Sequence, residues 1–185
     1  MLSEISLNVL DVAQNSIRAG ATVIVIEVVT DTKEDRLSVL IQDNGCGMDE
    51  TQLEHVTDPF YTTRKTRKVG LGLPFLKQEA EAADGSFEIA SHMEEGTSVK
   101  AVFGLSHRGR IPLGDINSTI YQLIIFNDSI DFRYRYAYDE REFTLDTKEI
   151  RKILDGLPIN HPDVTQFIRE YLEENTAEVN DGNTL

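Results

Sequence analysis

The sequence is poor in cysteine and has no long apolar run, and each shortage excludes a class of protein. It contains one cysteine, Cys46, so neither an intramolecular disulfide nor a zinc site built from several cysteines is available. No apolar run is long enough for a membrane-spanning helix, and the N-terminus lacks the basic and apolar segments of a secretion signal. We therefore expect a soluble, cytoplasmic protein without a membrane partner.

Cations are also scarce relative to acidic groups. The chain has 18 Lys and Arg against 32 Asp and Glu, which gives a formal net charge of −14. Binding to DNA, RNA or an anionic membrane is driven by neutralisation of phosphates, so we expect no nucleic-acid partner. Arg133 and Arg135 alternate with tyrosines, and this pattern favours a half-buried strand over a nucleic-acid-binding one. A bound anion has to meet a local basic patch, and RKTRK at 64–68 supplies four cations in five residues.

Hydrophobic periodicity divides the chain into helices and strands. Helices are predicted at 2–19, 49–56, 69–84, 115–125, 147–155 and 162–174. Strands are predicted at 22–30, 36–42, 86–91, 97–104, 130–138 and 141–145. Gly and Pro in SHRGRIPLG mark a boundary after 105, so we predict a first domain at 1–105 and a small α+β extension, a hairpin with helices, at 106–175. Residues 176–185 lack Lys and Arg and are predicted to form a disordered acidic tail.

Three polar residues share one face of the first predicted helix. Asp11, Asn15 and Arg18 are spaced i, i+4 and i+7, so they lie along that face. A solvated polar face is the ordinary interpretation of this spacing. Asparagine is nevertheless mildly unfavourable inside a helix, which points to a role for Asn15. An Asn oxygen suits Mg²⁺ and an Arg side chain suits phosphate, so the face is a candidate binding surface.

Glycines open two further motifs. DNGCGM, at 43–48, follows directly on a predicted strand, and its glycines permit a positive φ or the close approach of another group to the backbone. VGLGLP, at 69–74, begins a helix on glycines, and backbone N–H groups at such a helix start form an anion site. RKTRK directly precedes that helix. The second motif therefore predicts a phosphate site.

These motifs resemble, in type and order, those of the GHKL superfamily, the Bergerat-fold ATP-binding domains of gyrase B, heat-shock chaperone ATPases, sensor histidine kinases and mismatch-repair ATPases. DVAQNSIRAGAT is similar to the N box, DNGCGM to the first glycine box and DPFYTTR to the F box. VGLGLP is similar to the second glycine box and EEGTSVKAVF to the final Gly-Thr segment. The short distance from DPFYTTR to GLGLP is similar to that in histidine kinases. The resemblance covers 1–105 and implies an α+β fold, a two-layer sandwich whose mixed, mostly antiparallel sheet is covered on one face by helices.

The resemblance also implies ATP and Mg²⁺ as ligands. Asp43 would accept a hydrogen bond from the adenine amino group, and Thr97 would bind the same base. Asn15 would hold Mg²⁺, and Asp11 would be the candidate catalytic base. Phe60 would anchor the lid, while Gly70 and Gly72 would give amides to the phosphates. The remaining positions implied at the nucleotide are Arg18, Gly45, Gly47, Met48, Arg64, Lys65, Lys68 and Leu71.

Two departures from the family pattern shape the expected function. ATP-hydrolysing members have Glu four residues before the Asn, where this chain has the shorter Asp11. Sensor histidine kinases carry a His-bearing helical segment before the N box, and the chain shows none there. The four histidines, at 55, 92, 107 and 161, lie outside such a motif, so we do not expect autophosphorylation.

We therefore expect a stand-alone ATP-Mg-binding module in signal transduction that phosphorylates or regulates a separate partner protein. It resembles anti-sigma-type serine kinases in having the ATP domain without the His-bearing one. One alternative is a non-catalytic ATP sensor that exposes a face to a partner when ATP binds. Another is a small ATPase that forms a homodimer on ATP.

Overall fold

The computed structural model describes residues 4–60 and 72–185. The helices are α1 (Ile5–Arg18), α2 (Glu50–His55), α3 (Gly72–Ala82), α4 (Ile116–Phe126), α5 (Thr147–Leu154) and α6 (Pro162–Asn180). The strands are β1 (Val23–Asp31), β2 (Arg36–Asp43), β3 (Ser86–His92), β4 (Gly96–Gly104), β5 (Asp131–Tyr138) and β6 (Arg141–Asp146). All six strands form one sheet in the order β3-β4-β2-β1-β5-β6. Among the strand pairs of the described residues, only β1 and β5 run parallel, which confirms the predicted mixed, mostly antiparallel sheet.

One face of the sheet is buried and the other faces outward. Along β1, Ile24, Ile26 and Val28 are buried, whereas the residues between them are half-exposed. This alternation follows from the two-residue period of a strand, and the β-branched side chains favour the extended backbone. Helices α1, α3, α4 and α6 pack their apolar residues into the same core as these strands. The predicted two-layer α/β sandwich is therefore confirmed.

The segment after residue 105 adds strands to this same sheet. β5 lies beside β1 in parallel register from Val23↔Asp131 to Thr30↔Tyr138, and β6 pairs with β5. Tyr134 and Tyr136 are buried in the common core. On the outer face, Arg135 forms ion pairs with Glu27 and Glu142, and the hydrogen bond that Arg135 donates to Glu142 raises the pKa of Arg135. The half-buried strand predicted for this region is confirmed.

The predicted disorder of residues 176–185 is wrong. Helix α6 continues to Asn180, and Val179 and Asn180 are buried. Asn180 Nδ2 donates a hydrogen bond to the Tyr136 hydroxyl at 3.2 Å, and the Leu113 amide donates to the Leu185 carbonyl at 3.0 Å. A few specific contacts thus order a segment whose composition alone indicates disorder. Within the described ranges, no helix combines the length and the apolar character needed to cross a membrane.

Candidate functional site

A cavity of about 490 Å³ opens between α1, the C-terminal end of β2, the N-terminal end of β4 and the start of α3. This volume lies within the range of pockets that hold small ligands. Its apolar wall includes Val12, Ile41, Val56, Leu73 and Val99. Its polar side chains, among the described residues, are Asn15, Ser16, Arg18, Asp43, Gln52 and Thr97. An apolar wall with a few convergent polar groups suits a flat heteroaromatic ring that carries polar substituents.

Asp43, at the end of β2, is held at both carboxylate oxygens. The Ser16 hydroxyl donates to Oδ2 at 2.5 Å, and the Gly45 amide donates to Oδ1 at 2.9 Å. Each carboxylate oxygen can accept more than one hydrogen bond, so Asp43 keeps acceptor capacity toward the cavity that it lines. The site therefore presents an oriented acceptor beside an apolar wall.

Thr97 lies beside Asp43 in the same site. The two residues are register partners across β2 and β4, two residues beyond the buried pair Ile41↔Val99. Because this register continues the buried face of the sheet, both polar side chains point toward the helix layer and line the cavity. The sequence predictions for Asp43 and Thr97 thus converge on one place.

The DNGCGM turn packs against the protein itself. Gly47 has φ +68°, and a Cβ at this position would lie 1.9 Å from the His92 carbonyl oxygen. The Cys46 amide donates to the Ala19 carbonyl at 2.9 Å, and the Glu94 amide donates to the Cys46 carbonyl at 2.7 Å. The glycine is therefore required because the turn lies against the β3–β4 connection, while Gly47 also lines the cavity.

The polar face of α1 meets the start of α3. Arg18 Nη2 donates to Asn15 Oδ1 at 2.5 Å, and both residues line the cavity. A Cβ on Gly72 would lie 1.7 Å from Asp11 Oδ2, so the carboxylate occupies the space beside the first residue of α3. A negative group is stabilised at a helix N-terminus by the helix dipole. The structure brings Asn15 and Arg18 to the cavity, whereas Asp11 lies beside Gly72 and is not among the lining residues.

The remaining predicted positions divide into three groups. Met48 lines the cavity, as do Gly47 and Gly72. Gly45 is not among the lining residues, and a Cβ there would meet Ala19 Cβ at 2.9 Å. Phe60 is 82% exposed. The last group lies outside the described residues and comprises Arg64, Lys65, Lys68, Gly70 and Leu71.

The polar side chains around the cavity fit an adenine nucleotide with Mg²⁺. Residues 4–60 and 72–185 contain no cluster of three or more His, Cys, Asp or Glu that could hold a metal ion. Mg²⁺ in nucleotide sites takes most of its ligands from phosphates and water, so a single protein oxygen such as Asn15 Oδ1 is sufficient.

Sequence reasoning missed two serines that hold the site together. Ser16 is buried on α1 and binds Asp43. Ser91 is buried on β3 and contacts the Thr97 hydroxyl at 2.8 Å. Both serines occupy positions that continue an apolar face, Val9–Val12–Ser16 on the helix and Phe87–Ile89–Ser91 on the strand. A polar residue on an otherwise apolar face is the sequence signal from which these two serines could have been recognised.

Fold and site together define a nucleotide-binding ATPase class. Residues 1–107 match the model of a family described as histidine kinase-, DNA gyrase B-, and HSP90-like ATPase. The chain belongs to this family, and the predicted GHKL membership is confirmed. Family membership implies ATP binding and an ATPase domain of the type found in sensor histidine kinases.

Individual relatives agree with this assignment. The chain is 37% identical over 78 residues to a probable C4-dicarboxylate sensor kinase of Bacillus subtilis, covering 42% of this chain and 15% of that protein. It is 31% identical over 102 residues to sporulation kinase A of the same organism, covering 55% and 16%. The chain thus aligns with about one sixth of the length of these relatives. The crystal structure of the N-terminal domain of a DNA repair protein shares the fold, with a TM-score of 0.56, 17% identity, and coverage of 78% of this chain and 53% of that chain.

Proposed function

We propose that this chain is an ATP-Mg-binding module of the histidine-kinase type that phosphorylates or regulates a separate partner protein. The observation that carries the proposal is the Asp43 carboxylate, fixed by Ser16 and Gly45 at the edge of an apolar cavity. A fixed acceptor favours adenine, which carries an amino group at C6, over guanine, which carries an acceptor there. Thr97 lies beside Asp43 and would bind the same base.

The other end of the cavity suits the phosphates and their metal. Asn15 would hold Mg²⁺ and Arg18 would balance phosphate charge. The start of α3 at Gly72 would supply backbone amides. ATP supplies the γ-phosphoryl group, and this chain's residues bind and orient it.

The partner is proposed to be a protein in the cytoplasm. The net charge of −14 opposes binding to nucleic acid and anionic lipid. Two relatives are named as kinases, which supports phosphoryl transfer in signalling as the activity in which this chain takes part. A non-catalytic ATP sensor is the second candidate, because Asp11, the candidate base, is a short carboxylate packed beside Gly72.

Incubation of the full chain with γ-labelled ATP, alone and in cell extract, tests the proposal. We expect label on a second protein in the extract. Free phosphate from the purified chain would instead support a small ATPase. Absence of both products, with ATP binding retained, would support the sensor. Failure to bind ATP would contradict the proposal as a whole.

A further inference from the structure

Ser91 makes three hydrogen-bonding contacts around the nucleotide cavity without lining it. Its hydroxyl oxygen accepts from the Met48 amide at 2.9 Å and lies 3.0 Å from the Gly96 carbonyl oxygen. The same oxygen lies 2.8 Å from Thr97 Oγ1. Ser91 is buried, so these protein groups satisfy its hydroxyl in place of water.

The three contacts determine which hydroxyl donates in each hydrogen bond. A serine hydroxyl has one proton, and a carbonyl oxygen can only accept. All three contacts are satisfied together only when Ser91 donates to Gly96 and Thr97 donates to Ser91. The Thr97 proton is then directed away from the cavity, and Thr97 presents only lone pairs to a ligand.

The direction of the Thr97 hydrogen bond matters because Thr97 lies beside Asp43. Asp43, Thr97 and Ser91 form one row across β2, β4 and β3, since Asp43 pairs with Thr97 and Thr97 pairs with Ser91. Asp43 and Thr97 line the cavity and Ser91 lies behind them. Two adjacent acceptors attract a ligand edge that carries an amino group and disfavour one that carries a carbonyl oxygen.

We propose that Ser91 is a positioning residue that makes Thr97 an acceptor and thereby adds to the preference of the site for a 6-amino purine over a 6-oxo purine. The inference rests on the proposed nucleotide function. Without the Ser91 hydroxyl, the Thr97 hydroxyl can rotate and donate into the cavity. A 6-oxo purine then gains a partner, and a 6-amino purine loses an acceptor.

Calorimetric titration of the full chain with Mg-ATP and with Mg-ITP tests this proposal, because ITP differs from ATP only in the oxygen at C6 with its accompanying proton at N1 and carries no second exocyclic group. Ser91→Ala should reduce the ratio of ATP affinity to ITP affinity by about three- to tenfold, the effect of one neutral hydrogen bond. Ser91→Thr, which keeps a hydroxyl, should have an affinity ratio close to that of the wild-type protein. Ser86→Ala, a change at an exposed position of the same strand, should leave it unaltered.

A second mutant separates positioning from general support of the fold. In a Thr97→Val background no hydroxyl remains to be oriented, so adding Ser91→Ala should leave the affinity ratio unchanged. If Ser91→Ala does not fold, Ser91→Cys keeps a side chain of similar size with a weakly hydrogen-bonding thiol and should also lower the ratio.

The possible results distinguish this inference from the proposed function. An equal loss of ATP and ITP affinity in Ser91→Ala, or an unchanged ratio, would overturn the inference alone. The same drop in ratio with and without the Thr97 hydroxyl would also overturn it. If the wild-type protein binds no ATP, the proposed function fails and the inference fails with it.

Discussion

The Ser16 hydroxyl donates a hydrogen bond of 2.5 Å to Asp43 Oδ2, although the two residues are 27 positions apart in the chain. The bond links α1 to the end of β2, so the helix that carries Asn15 is fixed relative to the acceptor of the site. One short polar contact therefore couples the proposed base-binding end of the cavity to the proposed metal-binding end.

Replacing Ser16 by alanine should weaken ATP binding by about tenfold, because the Asp43 carboxylate loses a hydrogen bond that orients it. Calorimetric titration measures the affinity. Ser6→Ala is the matched control, since Ser6 is equally buried on the same helix and its hydroxyl contacts Glu4 at 3.2 Å. Equal affinities for the two variants would contradict the orienting role of Ser16.

The turn at Gly47 should not tolerate a side chain. In Gly47→Ala the new Cβ would lie 1.9 Å from the His92 carbonyl oxygen at φ +68°, and we expect a loss of about 3 kcal/mol in the free energy of unfolding, or roughly 6–12 °C in Tm. Gly156→Ala is the control, because Gly156 has φ +91° with nothing within 4 Å, so only backbone strain of about 1–2 kcal/mol is added. Calorimetric melting that gave the same Tm for both variants would show that the turn shifts to accept the methyl group.

The C-terminal end of α6 should become less stable in acid. Arg141 donates hydrogen bonds to both carboxylate oxygens of Asp181 and lowers the pKa of this carboxyl. A lowered pKa in the folded state means that the stabilisation is present above the ordinary Asp pKa of about 4 and is lost as pH falls through the folded value. The protection factor of the Gly182 amide, which donates to Ala177, should therefore fall below about pH 4.

Asp181→Asn provides the corresponding variant. Asparagine tolerates the φ of +53° at this position, so the change removes the charge and keeps the backbone. The Gly182 amide should be less protected at pH 7 and should no longer respond to acid. Asp155→Asn, at the equivalent left-handed position after α5, should leave it unaffected. A protection factor that does not change with pH in the wild-type protein would contradict the argument.

The basic run 64–68 lies outside the described residues, and its predicted role rests on its charge, on its place directly before VGLGLP and on the family resemblance. We expect simultaneous replacement of its four cations by alanine to weaken ATP binding more than adenosine binding, because adenosine has no phosphate to neutralise. Titration with both ligands measures the difference. Equal losses would show that the run is not a phosphate-binding group.

The hydrophobic periods of strands and helices predicted most of the secondary structure, because they show which side of each element is buried. The sequence did not predict that β5 would join the sheet beside β1 in parallel, since this pairing links residues more than 100 positions apart and depends on no local pattern. The tail was mispredicted for a related reason. Composition indicated disorder, whereas burial of Val179 and the contact of Asn180 with Tyr136 hold the end of α6 in place.

For the site, the motifs identified several residues that line the cavity but not the two serines that orient them. Asp43 stood out because it precedes a glycine turn at a strand end, whereas Thr97 was implied by the resemblance to the GHKL superfamily. Ser16 and Ser91 are single serines whose importance depends on strand register and helix packing. Such positions become visible only when the three-dimensional neighbours are known.

The account depends most on Asp43 as the acceptor for an adenine amino group. Asp43→Asn keeps the size of the side chain but replaces a charged acceptor with a neutral amide, which removes about 1.5–3 kcal/mol from a hydrogen bond in a partly desolvated site. Calorimetric titration of Mg-ATP into the parent and the variant, with circular dichroism to confirm folding, should show a ten- to hundredfold weaker affinity for the variant. A folded Asp43→Asn protein that binds ATP as tightly as the parent would contradict the nucleotide site proposed here.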